Sequence, residues 1–156
     1  MKLQVFAVGR KMPAWVNAGF DEYARRMPRT LRVELIEIKP AVRASGERSA
    51  QWIAIETQRI RAAVPTDCVQ VVLDERGELP TTMEFARRLE RWQRDARPVA
   101  FIIGGADGTA RELQRDADWL LALSRLTLPH GLTRVLLAEQ LYRVASLLAG
   151  HPYHRE

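Results

Sequence analysis

The apolar residues of this chain follow two patterns that alternate along its length. Short runs rich in Val, Ile and Leu predict strands; they cover residues 2–8, 31–38, 69–73, 98–103 and 119–123. Between these runs, apolar side chains recur every three or four residues, as on one face of a helix. The predicted helices cover residues 13–27, 49–63, 81–95, 109–117 and about 131–148. This alternation predicts an α/β fold with a mostly parallel five- or six-stranded sheet and helices on both faces.

Turn-forming residues mark several boundaries of these elements. Pro13 suits the first turn of a helix, where a missing N–H costs nothing, and Pro28 is expected to end that helix. Gly77 predicts a tight turn shortly after the third strand. Neither an internal repeat nor a long linker interrupts the pattern, so we expect one domain over residues 1–156.

The composition places the chain among ordinary globular proteins. Hydrophobic residues make up 47% and charged residues 28%, which excludes disordered and collagen-like chains. The net charge of +5 comes mainly from arginine, whose forked donor suits phosphate, and it fits a nucleic-acid partner or simply a basic protein. Cys68 is the single cysteine, which excludes an internal disulfide. We find neither a signal peptide nor a long apolar stretch and expect a cytoplasmic protein without a membrane partner.

Ligands of parallel α/β sheets bind beyond the carboxyl ends of the strands, so the loops after Leu73, Ile103 and Leu123 are the candidate sites. The second loop holds three glycines within residues 104–108. Their spacing matches neither the G-x-G-x-x-G motif nor a Walker A loop, so a dinucleotide site is rejected. The loop either approaches another ligand or forms a plain turn. The third loop, residues 123–130, is apolar with two hydroxyls; it either wraps a ring such as adenine or connects through the core.

The carboxyl-terminal tail, residues 151–156, has an unusual set of side chains. All three histidines lie near this end, at His130, His151 and His154. A zinc site needs a fourth group, and none stands at a recognisable spacing, so no metal is predicted. The aromatic ring, imidazoles and arginine of the tail suit contact with RNA by stacking, hydrogen bonding and phosphate binding. The alternative is a frayed terminus.

The three loops and the tail together resemble the SPOUT methyltransferases, the trefoil-knotted α/β class. Within that class, the chain resembles the ribosomal RNA large subunit methyltransferase H family. The resemblance covers essentially the whole chain. It is strongest in three segments: residues 126–130 (LTLPH), 138–143 (AEQLYR) and 151–156 (HPYHRE).

The resemblance implies a function, a fold and a set of ligand contacts. It implies transfer of a methyl group from S-adenosylmethionine to N3 of a pseudouridine in 23S rRNA, without a metal. It also implies a carboxyl-terminal trefoil knot and a homodimer in which the tail of one subunit completes the donor pocket of the other. The implied donor contacts are Leu73, Gly104, Leu123, Ser124, Arg125, Leu126, Thr127 and Leu128.

The implied reaction assigns roles to the tail. A uracil-type N3 carries a proton at neutral pH, and a group of the protein must remove or screen it. His154 is the first candidate because the pKa of imidazole is nearest to neutral pH, and Tyr153 is the second, as a base or a positioning group. Arg155 and Arg143 are candidates for holding phosphate or stabilising the developing anion.

The predicted helices also carry arginines that either contact the rRNA backbone or only keep the protein soluble. They are Arg25, Arg26, Arg29, Arg87, Arg88 and Arg91. Three alternatives to the implied function stay open. They are a SPOUT enzyme that acts on another RNA, a non-catalytic ribosome-binding adaptor, and a flavodoxin-like nucleotide-binding protein without a knot.

Overall fold

Five parallel strands form the central sheet. The structure, a computed structural model, describes residues 1–154 and the side chains of residues 1–153. The strands are β1 (Lys2–Val8), β2 (Arg32–Ile38), β3 (Val69–Glu78), β4 (Val99–Ile103) and β5 (Trp119–Leu121). They lie in the order β2-β1-β4-β3-β5, and each neighbouring pair is parallel. The predicted parallel α/β architecture is therefore confirmed.

Helices cover both faces of the sheet, as the alternating pattern predicts. They are α1 (Ala14–Ala24), α2 (Ser49–Ala63), α3 (Thr82–Arg94), α4 (Arg111–Asp116) and α5 (His130–Leu148), followed by a 3₁₀ turn at Pro152–His154. One buried cluster joins α1, α3 and α5 to the sheet through residues such as Phe20, Phe85 and Leu137. A second cluster joins α2 and α4 to the opposite face through Ile60 and Leu113.

The third strand differs from its prediction, because it continues past the expected turn to Glu78. Leu73 and Glu78 both pair with Leu121, so β3 bulges between them. A Cβ added at Gly77 would lie 2.5 Å from the carbonyl oxygen of Leu120. The predicted tight turn at Gly77 is therefore wrong: this glycine lets the β3 and β5 backbones approach closely.

Two other predicted elements extend too far toward the carboxyl terminus. The first helix ends at Ala24, before Met27 and Pro28, and β5 ends at Leu121. Leu123 consequently belongs to the loop after β5 rather than to the strand. This difference lengthens the loop that forms the candidate site.

Helix α5 lies very close to α1. A Cβ added at Gly131 would lie 2.8 Å from Cγ2 of Val16, and one added at Gly19 would lie 3.1 Å from Val135. The two glycines allow this approach because neither carries a side chain. The contact fixes the beginning of α5 beside the carboxyl ends of the central strands.

Candidate functional site

An open pocket of about 570 Å³ lies beyond the carboxyl ends of β3, β4 and β5. Its lining comes from residues within 73–76, 103–108 and 121–133. These are the three loops that the sequence indicates as candidate sites. The structure thus brings them together at one edge of the sheet, the usual ligand position in parallel α/β folds.

Most of the residues that the resemblance implies as donor contacts line this pocket. They are Leu73, Gly104, Leu123, Ser124, Leu126, Thr127 and Leu128. Arg125 is not among the lining residues; its Nη1 donates to the carbonyl oxygen of Glu75 at 2.6 Å. Arg125 therefore supports the loop from outside.

The loop after β5 is held against the bulge of β3. Oγ1 of Thr127 donates to Oε2 of Glu75 at 2.6 Å, beside the bond from Arg125. Next to Glu75, the Asp74 carboxylate accepts from Nε of Arg76 at 3.0 Å. This hydrogen bond lowers the pKa of Asp74, so the carboxylate stays ionised at neutral pH. One wall of the pocket consequently carries two carboxylates.

The glycine loop after β4 is folded tightly upon itself. A Cβ added at Gly104 would lie 2.7 Å from Cγ2 of Thr109 and 2.8 Å from the backbone of Gly108. Gly108 has a φ of +80°, a conformation that favours glycine, and its N–H donates to the carbonyl oxygen of Gly105 at 3.0 Å. Gly104 is required because no other residue fits between the two ends of this turn.

Two ion pairs of the partly exposed Arg43 tie the same loop to α2. Asp107 accepts from Nη2 of Arg43 at 2.7 Å, and Nη1 of Arg43 donates to Oε2 of the buried Glu56 at 3.1 Å. Glu56 also accepts from the N–H of Ala41 at 2.9 Å. The far end of the glycine loop is therefore anchored in the core.

A buried arginine, Arg134, lies beside the pocket and is not among the residues predicted from the sequence. Arg134 is 0% exposed, and all three guanidinium nitrogens donate hydrogen bonds. Nε donates to Nε2 of His130 at 2.8 Å, Nη1 to Oε2 of Glu37 at 2.8 Å, and Nη2 to the carbonyl oxygen of Gly9 at 2.9 Å. One signal was available: Arg134 precedes Leu137 by three residues, which places it on the apolar face of α5.

His130 links this arginine to the glycine loop. Its Nε2 accepts from Arg134, so the ring proton resides on Nδ1, which lies 2.9 Å from the carbonyl oxygen of Gly104. His130 also lines the pocket. Arg134, His130 and Gly104 therefore form one continuous chain of hydrogen bonds.

The tail is docked on α5 as far as Tyr153. The ring centroids of Tyr153 and Tyr142 are 4.5 Å apart, and the guanidinium carbon of Arg143 lies 4.9 Å from the Tyr153 centroid. Oη of Tyr153 donates to Oε1 of Glu139 at 3.2 Å. Desolvation and the hydrogen bond with Tyr23 raise the pKa of Tyr153 to about 12. Tyr153 therefore stays protonated at neutral pH, and the side chains of His154 and Arg155 lie outside the described residues.

The docked tail and the pocket occupy different parts of α5. Thr133 lines the pocket, whereas Arg143 contacts the tail ten residues further along the same helix. At 1.5 Å per residue, this spacing corresponds to roughly 15 Å along the helix axis. Within one chain, the pocket and Tyr153 therefore lie against different parts of α5.

A family model described as "Predicted SPOUT methyltransferase" matches residues 1–154. The chain belongs to the SPOUT methyltransferase family. Its relatives include a protein of Nitrosospira multiformis, 57% identical, and one of Burkholderia mallei (strain SAVP1), 56% identical. Each match covers 99% of both chains, and each relative is named "Ribosomal RNA large subunit methyltransferase H".

A solved structure has a similar fold. A probable methylase family protein of Haemophilus influenzae Rd KW20 is similar with a TM-score of 0.54 at 14% identity. The match covers 99% of this chain and 70% of the other. The predicted fold class is confirmed, and the trefoil knot stays a prediction.

Several arginines expected at an RNA surface of this SPOUT protein have carboxylate partners. Arg25 and Arg26 both pair with Glu22 on α1, and Arg88 pairs with Glu78 at 2.6 Å. The others are exposed: Arg29, Arg87 and Arg91. Their contact with rRNA stays a prediction.

The described part of this SPOUT chain has neither a metal cluster nor a membrane-spanning helix. Over residues 1–154, we find no group of three or more His, Cys, Asp or Glu side chains arranged to hold a metal ion. Within the same residues, no helix is both long and apolar enough to cross a membrane.

The His130 imidazole predicts a pH dependence of stability. Desolvation and, next, the Arg134 guanidinium lower the pKa of His130 below its ordinary value, about 6.5. Above that value, the imidazole is neutral in both the folded and unfolded states. Below it, the unfolded state binds the proton more readily, so this contribution to stability is lost as pH falls toward the folded pKa. We expect the free energy of unfolding, measured with urea, to decrease between pH 7 and pH 5.

The control that isolates this imidazole is the variant His130→Asn. Asparagine keeps a donor near Nδ1 but does not titrate. The decrease between pH 7 and pH 5 should be smaller in this variant. An equal decrease in both proteins would contradict the assignment to His130.

Proposed function

We propose that this SPOUT protein transfers a methyl group from S-adenosylmethionine to N3 of a pseudouridine in 23S rRNA of the large ribosomal subunit. The observation that carries the proposal is the 57% identity, over 99% of both chains, to a relative named ribosomal RNA large subunit methyltransferase H. The pocket supports the methyl donor, and the tail supports the acceptor chemistry.

The pocket fits the parts of S-adenosylmethionine. Adenine is a flat, uncharged ring, and Leu123, Leu126 and Leu128 provide an apolar surface for it. Leu126 is 75% exposed, and a bound adenine ring would cover it. Arg76 pairs with Asp74 on the same wall, so Glu75 is the carboxylate that provides negative charge for a cationic sulfonium. When bound, the donor supplies the methyl group, and the chain aligns the acceptor with it.

The tail supplies the proton chemistry of the acceptor in this proposal. The pKa of Tyr153, raised to about 12, makes its phenol a hydrogen-bond donor and a positioning group rather than a base. His154 then takes the N3 proton, because its ordinary pKa is nearest to neutral pH. Arg143 and Arg155 hold phosphate or stabilise the developing anion.

We further infer a homodimer with shared active sites. Residues that line the pocket and residues that contact Tyr153 are separated by roughly 15 Å along α5 of one chain. A second copy that offers its tail to the pocket brings both sets together. This arrangement is the reason to expect a homodimer in solution.

The proposal is tested with purified protein, S-adenosylmethionine and large ribosomal subunits from cells that lack this protein. We expect donor binding by calorimetry and a new methylpseudouridine in 23S rRNA fragments by mass spectrometry. Methylation of another RNA only would indicate a different SPOUT substrate. Absence of donor binding would overturn the proposal and favour the adaptor. Subunits from normal cells, which should already carry the methyl group, are the control.

A further inference from the structure

The buried Arg134 joins the ends of three adjacent strands. Glu37 belongs to β2, Gly9 follows β1, and Gly104, which Arg134 reaches through His130, follows β4. These strands are neighbours in the order β2-β1-β4. The arginine thus connects the half of the sheet that lies away from the pocket to a loop that lines it.

The stability of the core does not by itself explain why an arginine is buried at position 134. Burial of a guanidinium is costly, and well-packed apolar side chains often replace buried ion pairs without loss of stability. Here every nitrogen has a partner, so the cost is offset, but an arginine is still not needed to fill space. Its particular contribution is the direction of its hydrogen bonds.

One of these bonds decides the tautomer of His130. Arg134 has only donors, so its bond to Nε2 requires that nitrogen to accept, and Nδ1 then carries the proton. The charged groups that face the imidazole are Arg134 from α5 and Glu37 from β2. Without the arginine, the other tautomer would offer no donor to the Gly104 carbonyl.

The bond from His130 in turn orients a peptide group. A trans peptide is planar, so its C=O and N–H point in opposite directions. When the Gly104 carbonyl oxygen is held toward His130, the N–H of Gly105 must point away from it. Arg134 therefore controls the orientation of a backbone donor in the glycine loop without touching the pocket itself.

The end of β1 is built around the same guanidinium. Gly9 has a φ of +139°, and a Cβ added there would lie 3.3 Å from Nη2 of Arg134 and 3.2 Å from Cε of Met12. The backbone of Gly9 thus approaches the arginine as closely as a residue without a side chain can. The same Cβ would lie 3.7 Å from Nε2 of His130, so Gly9 packs against both members of the Arg134–His130 pair.

We propose that Arg134 and His130 are positioning residues for the methyl donor, because together they set the direction of the Gly104–Gly105 peptide. The inference rests on the proposed function, in which the donor occupies this pocket. Neither residue takes part in proton or methyl transfer. Their loss should therefore weaken donor binding more than it slows transfer at saturating donor.

Two substitutions of His130 separate its hydrogen bond with Arg134 from its hydrogen bond with Gly104. Glutamine places an amide near the position of Nε2, where it accepts from Arg134 but does not reach the Gly104 carbonyl. Asparagine places an amide near Nδ1, where it still donates to Gly104 but does not reach Arg134. We expect His130→Gln to raise the Kd of S-adenosylmethionine about tenfold, the equivalent of one hydrogen bond, and His130→Asn to raise it less.

A double-mutant cycle then tests whether Arg134 acts through His130. Arg134→Met should also raise the Kd about tenfold in the natural chain. Added to His130→Asn, it should change the Kd little, because asparagine has no tautomer to be selected. The destabilised control is Leu89→Ala, a buried change in α3 away from the pocket, which should leave the Kd unchanged.

The outcomes distinguish this inference from the function on which it rests. If the natural chain does not bind S-adenosylmethionine, both are overturned. If the natural chain binds it and His130→Gln binds equally well, only the positioning role is overturned. Equal effects of Arg134→Met in both backgrounds would show that Arg134 does not act through His130. Should Arg134→Met fail to fold, the two His130 variants still test the inference. The pH dependence of the Kd is a second test: the Kd should rise in acid only in the natural chain, as His130 becomes protonated below its ordinary pKa.

Discussion

Replacement of Gly104 by valine is expected to abolish donor binding. Even the first carbon of the new side chain would lie 2.7 Å from Thr109 and 2.8 Å from the Gly108 backbone. Backbone atoms cannot move aside as the end of a side chain can, so the whole turn must change shape. Calorimetry with S-adenosylmethionine should then show no binding, while far-UV circular dichroism should still report the sheet, since position 104 lies beyond the last residue of β4.

The matched control for this variant is Gly46→Asn, which replaces a glycine away from the pocket. A Cβ at Gly46 meets nothing within 4 Å, and asparagine tolerates its positive φ better than other side chains. We expect donor affinity close to that of the natural chain. Normal affinity in a folded Gly104→Val protein would show that the glycine loop does not form the donor site.

The sheet and its helices are predictable because their signals are local. In α3, Phe85, Leu89 and Trp92 recur at helical spacing, and all three are buried as expected. All five residues of β4 are buried, which its continuous apolar run predicts. The meeting of the three loops follows in turn, because parallel strands all end at the same edge.

The role of a glycine is harder to predict, because glycine has two different uses. Gly77 reads as a turn, yet it allows two strands to approach, and its neighbour Leu120 lies far along the chain. Gly131 marks only the approximate start of the last predicted helix, yet it allows contact between α5 and Val16. In both cases the deciding neighbour is non-local, so the sequence alone does not distinguish conformational freedom from the need for space.

Arg134 is missed for the same physical reason. A guanidinium is buried only where acceptors surround it, and its acceptors at Glu37 and Gly9 are 97 and 125 residues away. The apolar spacing of α5 places Arg134 on the buried face, but no residue nearby in the sequence indicates that Glu37 and Gly9 accept its hydrogen bonds. In the sequence, His130 is one of three histidines and ends the candidate loop 123–130, but neither feature indicates that it links the arginine to the pocket.

All but one of the donor contacts implied by the resemblance line the pocket. The residues from Leu123 to Leu128 line the pocket except Arg125, whose guanidinium bonds to the backbone of Glu75. A family motif gives positions, and the structure shows which way each side chain points. Any contact of Arg125 with the donor would therefore come from its backbone, and its side chain stabilises the loop.

Removal of the tail, residues 151–156, is expected to abolish methylation while donor binding changes much less. No tail residue lines the pocket within the described residues. The tail holds His154, the proposed base, and a group of this kind typically contributes about 10²–10⁴-fold to the rate. The loss of the Tyr153 contacts with Tyr142 and Arg143 should cost only about 1–2 kcal/mol of stability. Methylation of ribosomes at the normal rate by the shortened protein would show that the tail has no role in catalysis.

Single substitutions divide this effect among the tail residues. Tyr153→Phe keeps the ring on Tyr142 and Arg143 but loses the hydrogen bond to Glu139, so it should reduce methylation only modestly. His154→Ala should come close to the full effect of truncation. A larger loss in Tyr153→Phe than in His154→Ala would transfer the main role from the imidazole to the phenol.

A mixture of two inactive proteins tests the shared site most directly. The shortened protein has an intact pocket without a tail, whereas Gly104→Val has an intact tail without a pocket. Within one chain, the pocket and the contacts of Tyr153 are separated by roughly 15 Å along α5. In a mixed dimer, the pocket of the shortened subunit can instead receive the tail of the other subunit. We therefore expect the mixture to recover methylation that neither protein shows alone. If it stays inactive although mixed dimers form, as shown by mass spectrometry of the intact complexes, each tail must serve the pocket of its own chain.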